Sequence, residues 1–98
     1  MATKKHQYSS TYLLTVDGAS LTRARLAKGF GVADVVKELG DGMNKSTVSR
    51  WETGMLQPSP QRLFALVDLF GANDFVRLNG KAVLTSEEIE VVRKLREG

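Results

Sequence analysis

The chain has 98 residues, 42% hydrophobic and 26% charged, with no cysteine and one histidine, His6. That bounds it to a single compact domain of ordinary soluble composition, with a core modest enough that oligomerisation is a natural further source of stability. It excludes a disulfide framework, a thiolate metal site, a cysteine nucleophile and histidine-based sites, and the net charge of +3 suits an anionic partner.

Residues 1–11 are polar, carry Lys4, Lys5 and His6, and read as a flexible basic arm; tracking of phosphates by its lysines is the alternative to a merely solubilising terminus. No apolar run follows, so neither a signal peptide nor a membrane-spanning segment is expected, and the expected location is cytoplasmic. Charge is uneven. Residues 1–31 carry a balance of +4, residues 32–72 of −1, and residues 73–98 are neutral.

Tyr12–Val16 is a β-prone run ended by Asp17-Gly18, read as a short strand; the alternative is an extended tail whose Leu13 or Val16 covers the core. A helix is expected from about Ala19 to Lys28, capped by Asp17 or Ser20 and followed by Gly29. Val32, Val35, Val36 and Leu39 repeat at i, i+3, i+4, i+7, the spacing of one helix face, and Gly40 stops that helix. Asn44 caps a third helix with Val48 and Trp51 facing inward and Gly54 at its end. Ser59 and Pro60 start a fourth, with Leu63, Leu66, Val67 and Phe70 on its apolar stripe and Gly71 after it.

Residues 75–84 form two short apolar runs around Asn79-Gly80, the pair of residues a type I′ hairpin turn needs. A short helix over Asp74–Leu78, capped by Asn73, is the rival reading. Thr85-Ser-Glu-Glu88 is a capping box, and Ile89, Val92 and Leu95 stripe the last helix. Glu87, Glu88 and Glu90 sit where acids favour the helix dipole, so they are not read as catalytic. The predicted fold is mainly α: four short helices, a small β element and a C-terminal helix. Its parts are the arm 1–11, a helical domain 12–71 and an appendage 72–98 for dimerisation or partner binding.

Two short helices joined by a glycine turn form a helix-turn-helix, whose second helix enters the major groove of DNA. Here these are Val32–Leu39 and Lys45–Thr53. The exposed positions of the second are Lys45, Ser46, Ser49 and Arg50. They supply donors and small acceptors with no carboxylate, as base edges beside phosphates require. Arg50 leads as a bidentate partner for guanine, against a merely solvated arginine. Lys45 divides between base, phosphate and solvent; Ser46 and Ser49 are tolerated on any exposed helix face.

The words Asp17-Gly-Ala-Ser-Leu-Thr-Arg-Ala-Arg25, Lys28-Gly-Phe30, and Ser46-Thr-Val-Ser-Arg-Trp-Glu-Thr-Gly54 before Pro58 resemble the lambda-repressor/Cro-like helix-turn-helix family, also called the xenobiotic-response-element family. The resemblance covers residues 17–71. It implies base reading by Lys45, Ser46, Ser49 and Arg50, and phosphate contacts at Thr47 and at backbone amides near Thr53 and Gly54. It also implies a structural ion pair between Arg25 and Glu52, and core positions for Val48 and Trp51. Three departures stand out. Asp41-Gly42 lengthens the link after Gly40 by two residues, which bears on the angle between the two helices. Gly31-Val32 replaces a capping hydroxyl residue and a phosphate-touching Gln. Met55-Leu56 occupies a loop that is usually basic.

The expected function is sequence-specific binding of double-stranded DNA as a transcriptional regulator, a homodimeric repressor on a palindromic operator. Small size fits a phage, mobile-element or toxin–antitoxin autoregulator, by analogy of fold. The alternative is an antitoxin or adaptor whose C-terminal part binds a partner protein. No enzyme activity, cofactor or metal is expected.

Overall fold

The computed structural model describes residues 14–40, 42–71, 75–78, 82–83 and 85–97. In chain order these are β1 (Leu14–Val16), α1 (Gly18–Ala27), α2 (Val32–Leu39), α3 (Lys45–Thr53), α4 (Pro60–Phe70), β2 (Val76–Leu78), β3 (Ala82–Val83) and α5 (Ser86–Glu97). The mainly α architecture with a small β element agrees with the sequence expectation. The arm 1–11, the start of the Tyr12–Val16 run, Asp41, the Asn73 cap, the Asn79-Gly80 turn and Leu84 lie outside the described residues.

Helix starts follow local chemistry. Asp17 rather than Ser20 caps α1, its carboxylate accepting from the Ser20 amide at 3.1 Å and the Ser20 hydroxyl at 2.7 Å. Asn44 caps α3 through the Thr47 amide at 2.9 Å, and Ser59 caps α4 through the Arg62 amide at 3.2 Å. At α5, Thr85 and Glu88 form the capping box: the Glu88 amide donates to Thr85 Oγ1 and the Thr85 amide to Glu88 Oε1. The first turn of α2 has no side-chain cap, but Asp34 Oδ2 accepts from the Gly31 amide at 2.7 Å. Gly29, Gly40, Gly54 and Gly71 follow the four core helices at positive φ.

The strands form one antiparallel sheet of order β1-β2-β3, with Leu14 opposite Leu78, Val16 opposite Val76 and Arg77 opposite Val83. The first strand thus joins the 76–83 pair within the same chain. The Asp17 amide extends the ladder to the Phe75 carbonyl at 2.7 Å. Strand alternation turns Leu14 and Val16 inward.

One core joins every layer. It holds Leu14, Val16, Leu21, Val35, Val48, Trp51, Leu63, Leu66, Val67, Phe75, Val76, Ile89 and Val92. Elements from 75 onward therefore share the interior of the helical part. Phe30, Phe70 and Phe75 pack edge to face in sequence, with centroids 5.9 and 6.4 Å apart. On the far side of α4, Arg93 of α5 reaches Asp68 at 2.9 Å and lies over the Phe64 ring at 5.0 Å. Among the described residues no helix is long and apolar enough to cross a membrane.

Candidate nucleic-acid interface

The sequence KSTVSRWET folds as α3 with two unlike faces. Val48 and Trp51, 1% and 2% exposed, anchor the helix in the core. Lys45, Ser46, Ser49, Arg50 and Thr53 are exposed on its remaining surface, and Thr47 is half-buried. The four base-reading candidates thus share the solvent side of one helix. No carboxylate stands among them, and Glu52 is turned away into an ion pair.

That pair sets the seat of the helix. Arg25 of α1 donates to Glu52 through Nε at 2.7 Å and Nη2 at 3.0 Å, and through Nη1 to the Phe30 carbonyl at 3.0 Å. Thr22 Oγ1 adds a donor to Glu52 Oε1 at 2.9 Å. The two side chains are only 12% and 10% exposed. Glu52's hydrogen bonds hold the Arg25 guanidinium above its ordinary pKa, while burial acts the other way. Helix α1 thereby clamps the C-terminal half of α3. Gly18 completes the clamp. A Cβ there would run into the backbone of Trp51 and Glu52, so the start of α1 can approach α3 only without a side chain.

The phosphate-contact candidates lie at the two ends of α3. Thr47 Oγ1 and its amide both donate to Asn44 Oδ1. Thr53 Oγ1 donates to the Arg50 carbonyl at 3.3 Å. The Gly54 amide turns back to the Arg50 and Trp51 carbonyls, and the Met55 and Leu56 amides also end on Arg50. A Cβ at Gly54 would meet nothing within 4 Å, so the backbone there is open to close approach. Met55 and Leu56 are 78% and 43% exposed.

The link between α2 and α3 includes Gly42 at φ +83°, and the Met43 amide donates to the Gly40 carbonyl at 3.2 Å. Val35 of α2 and Val48 of α3 are both fully buried in the shared core, so the link lets the two helices pack.

Three residues that sequence reasoning passed over matter here. Thr22 lies one turn before Arg25, a spacing that hints at a shared face. Gly18 stands in the sequence at the end of the β-prone run and in the word that carries the resemblance, with no sign of a helix contact. Gln57 carries no local signal. Its Oε1 accepts from the Val16 amide at 2.8 Å and its Nε2 donates to the Val16 carbonyl at 3.2 Å, which ties the loop after α3 to the free edge of β1. Among the described residues no group of three or more acidic, His or Cys side chains is placed to hold a metal ion.

A family model described as a helix-turn-helix domain matches residues 18–77, which span all four core helices and most of β2. No curated protein and no solved structure matches the chain.

Proposed function

The chain belongs to the helix-turn-helix domain family, and from that premise we propose that it is a non-enzymatic regulator that represses transcription as a homodimer on a palindromic operator. The observation that carries the proposal is the division of α3. Its apolar side is buried while Lys45, Ser46, Ser49 and Arg50 project together into solvent with no acid among them. Such a helix offers the major groove donors and small acceptors without repelling phosphate. Arg50 reads guanine. Lys45 reads a base edge or neutralises a phosphate. Ser46 and Ser49 make the closer contacts.

Backbone phosphates fall to the ends of the helix. The Thr47 and Thr53 hydroxyls rotate from Asn44 and Arg50 to a phosphate oxygen, exchanging a neutral hydrogen bond for a charge-assisted one. The unobstructed backbone at Gly54 admits the strand closely. Half-sites of the operator follow the two-fold axis of the dimer.

The test is selection of bound sites from a random duplex library, run beside the Lys45→Ala/Arg50→Ala double variant. A short palindrome enriched by the native chain and lost by the variant is the expected result. Binding indifferent to both substitutions rejects the reading.

A second reading is favoured by the exposed Met55-Leu56 pair, which sits where a basic loop would suit DNA. In it the chain is an antitoxin or adaptor whose main partner is a protein. A steep fall of DNA affinity with salt counts against this reading.

A further inference from the structure

The first turn of α4 departs from local helix chemistry. Ser59 caps it and Pro60 opens it. A capping box there would place Glu or Gln at the third helical position. This chain has Arg62. A cation in that turn meets the positive end of the helix dipole, so Arg62 is locally unfavourable to α4. Such a departure calls for a compensating contact elsewhere.

One such contact lies at the turn of the helix-turn-helix. Arg62 Nη1 donates to the carbonyl of Leu39 at 3.3 Å, across 23 residues of chain. Leu39 is the last residue of α2. There the carbonyls have no intrahelical partner and the negative end of the dipole favours a cation. The same guanidinium flanks the link itself, since a Cβ on Gly42 would stand 3.4 Å from Nη2. One half-buried side chain therefore reaches both the end of α2 and the link at Gly42.

We propose that Arg62 is a positioning residue for DNA recognition: it braces the glycine-containing turn and so fixes the direction in which α3 leaves α2. A link with glycines at positions 40 and 42, both at positive φ, has more conformations to choose among than one built of other residues, and the core contacts of Val35 and Val48 constrain the helices but not the turn. The brace supplies that constraint from α4, with a donor fork whose geometry a lysine does not reproduce. For its consequence in recognition the proposal rests on the DNA-binding reading above. The brace itself is measurable without DNA.

The experiment uses the full chain with Arg62→Met, which keeps bulk and removes charge, Arg62→Glu, which restores the acid that the first turn of α4 favours, and Arg62→Lys. Amide hydrogen exchange is followed at Met43 and Val48. Affinity for the selected operator is measured at a temperature where every variant is folded. Met43 is expected to exchange roughly tenfold faster relative to Val48 in the Met and Glu variants, as loss of a charge-assisted hydrogen bond implies. Operator affinity is expected to fall by about the same factor, with partial recovery in the Lys variant. Unchanged Met43 exchange, or faster exchange with native operator affinity, overturns the proposal. If the native chain selects no site, the DNA reading fails separately, and accelerated Met43 exchange in Arg62→Met still supports the brace.

Discussion

Arg25 and Glu52 meet through two hydrogen bonds, 2.7 and 3.0 Å long, although 27 residues separate them. Both are largely shielded from water. Removing one member leaves the other charge with no partner of opposite sign in a poorly solvated place. Glu52→Ala is therefore expected to destabilise the fold by about 3 kcal/mol or more, in the range for broken buried pairs. The double variant Arg25→Met/Glu52→Leu is expected to lose less than the sum of its single changes. Urea unfolding of the native chain, Glu52→Ala, the two single changes and the double variant checks both points.

Gly18 lies where α1 touches the backbone of α3. In an open helix Gly→Ala would be favourable. Here the added methyl has no room, and Gly18→Ala is expected to destabilise by about 1–3 kcal/mol, the usual cost of overpacking. Thermal unfolding decides it, and a raised melting temperature would refute the close approach.

Gln57 uses both ends of its amide on Val16. Gln57→Ala removes two hydrogen bonds and is expected to lower stability by about 1–2 kcal/mol. Gln57→Glu keeps the acceptor for the Val16 amide but sets a carboxylate oxygen against the Val16 carbonyl, so it is expected to do worse than alanine. Denaturant midpoints of the two variants order them.

The Asp17 carboxyl is held below its ordinary pKa, first by the Ser20 hydroxyl, then by the Ser20 amide; burial opposes them, and Arg77 and Arg23 each lower it by less. A carboxylate depressed in the folded state contributes stability at pH above its unfolded value of about 3.9, and that contribution is lost as pH falls through the folded value. Asp17→Asn retains a cap but cannot titrate. The advantage of the native chain over this variant is expected to be constant near neutrality, to decline as pH falls below about 4 and to vanish once pH is below the folded value. Stability curves measured across that range give the sign directly.

On DNA, Arg50→Ala is expected to cost about 1–3 kcal/mol of binding and to relax preference at one base pair in each half-site. Lys45→Ala, if the lysine neutralises a phosphate, weakens all sequences alike and reduces the salt slope by about one. Titrations on operator and scrambled duplexes at several salt concentrations separate the two behaviours.

Much of the helical frame was legible because its signals are local. Asp17, Asn44 and Ser59 lie three residues from the amides they cap, and glycines follow each core helix. The Arg25–Glu52 pair was expected only through the family resemblance, since nothing in the spacing of an arginine and a glutamate 27 residues apart singles them out. The pairing of β1 with β2 joins segments of the chain about sixty residues apart, a partnership that no local signal announces. Gln57 and Arg62 were passed over for the same reason. Their partners, Val16 and Leu39, are backbone atoms, which any sequence presents equally.

Trp51 is the single tryptophan of the chain and is 2% exposed, on the side of α3 opposite its solvent-facing residues. The helix that carries the candidate reading face thus contains its own optical reporter, placed where a duplex docked on that face would not touch it. Emission from the indole follows the integrity of the interior, shifting to the red when the core opens and staying near its native wavelength when α3 is merely occupied. Fluorescence therefore distinguishes a variant that has lost its grip on DNA from one that has lost its fold, in one cuvette and without a label.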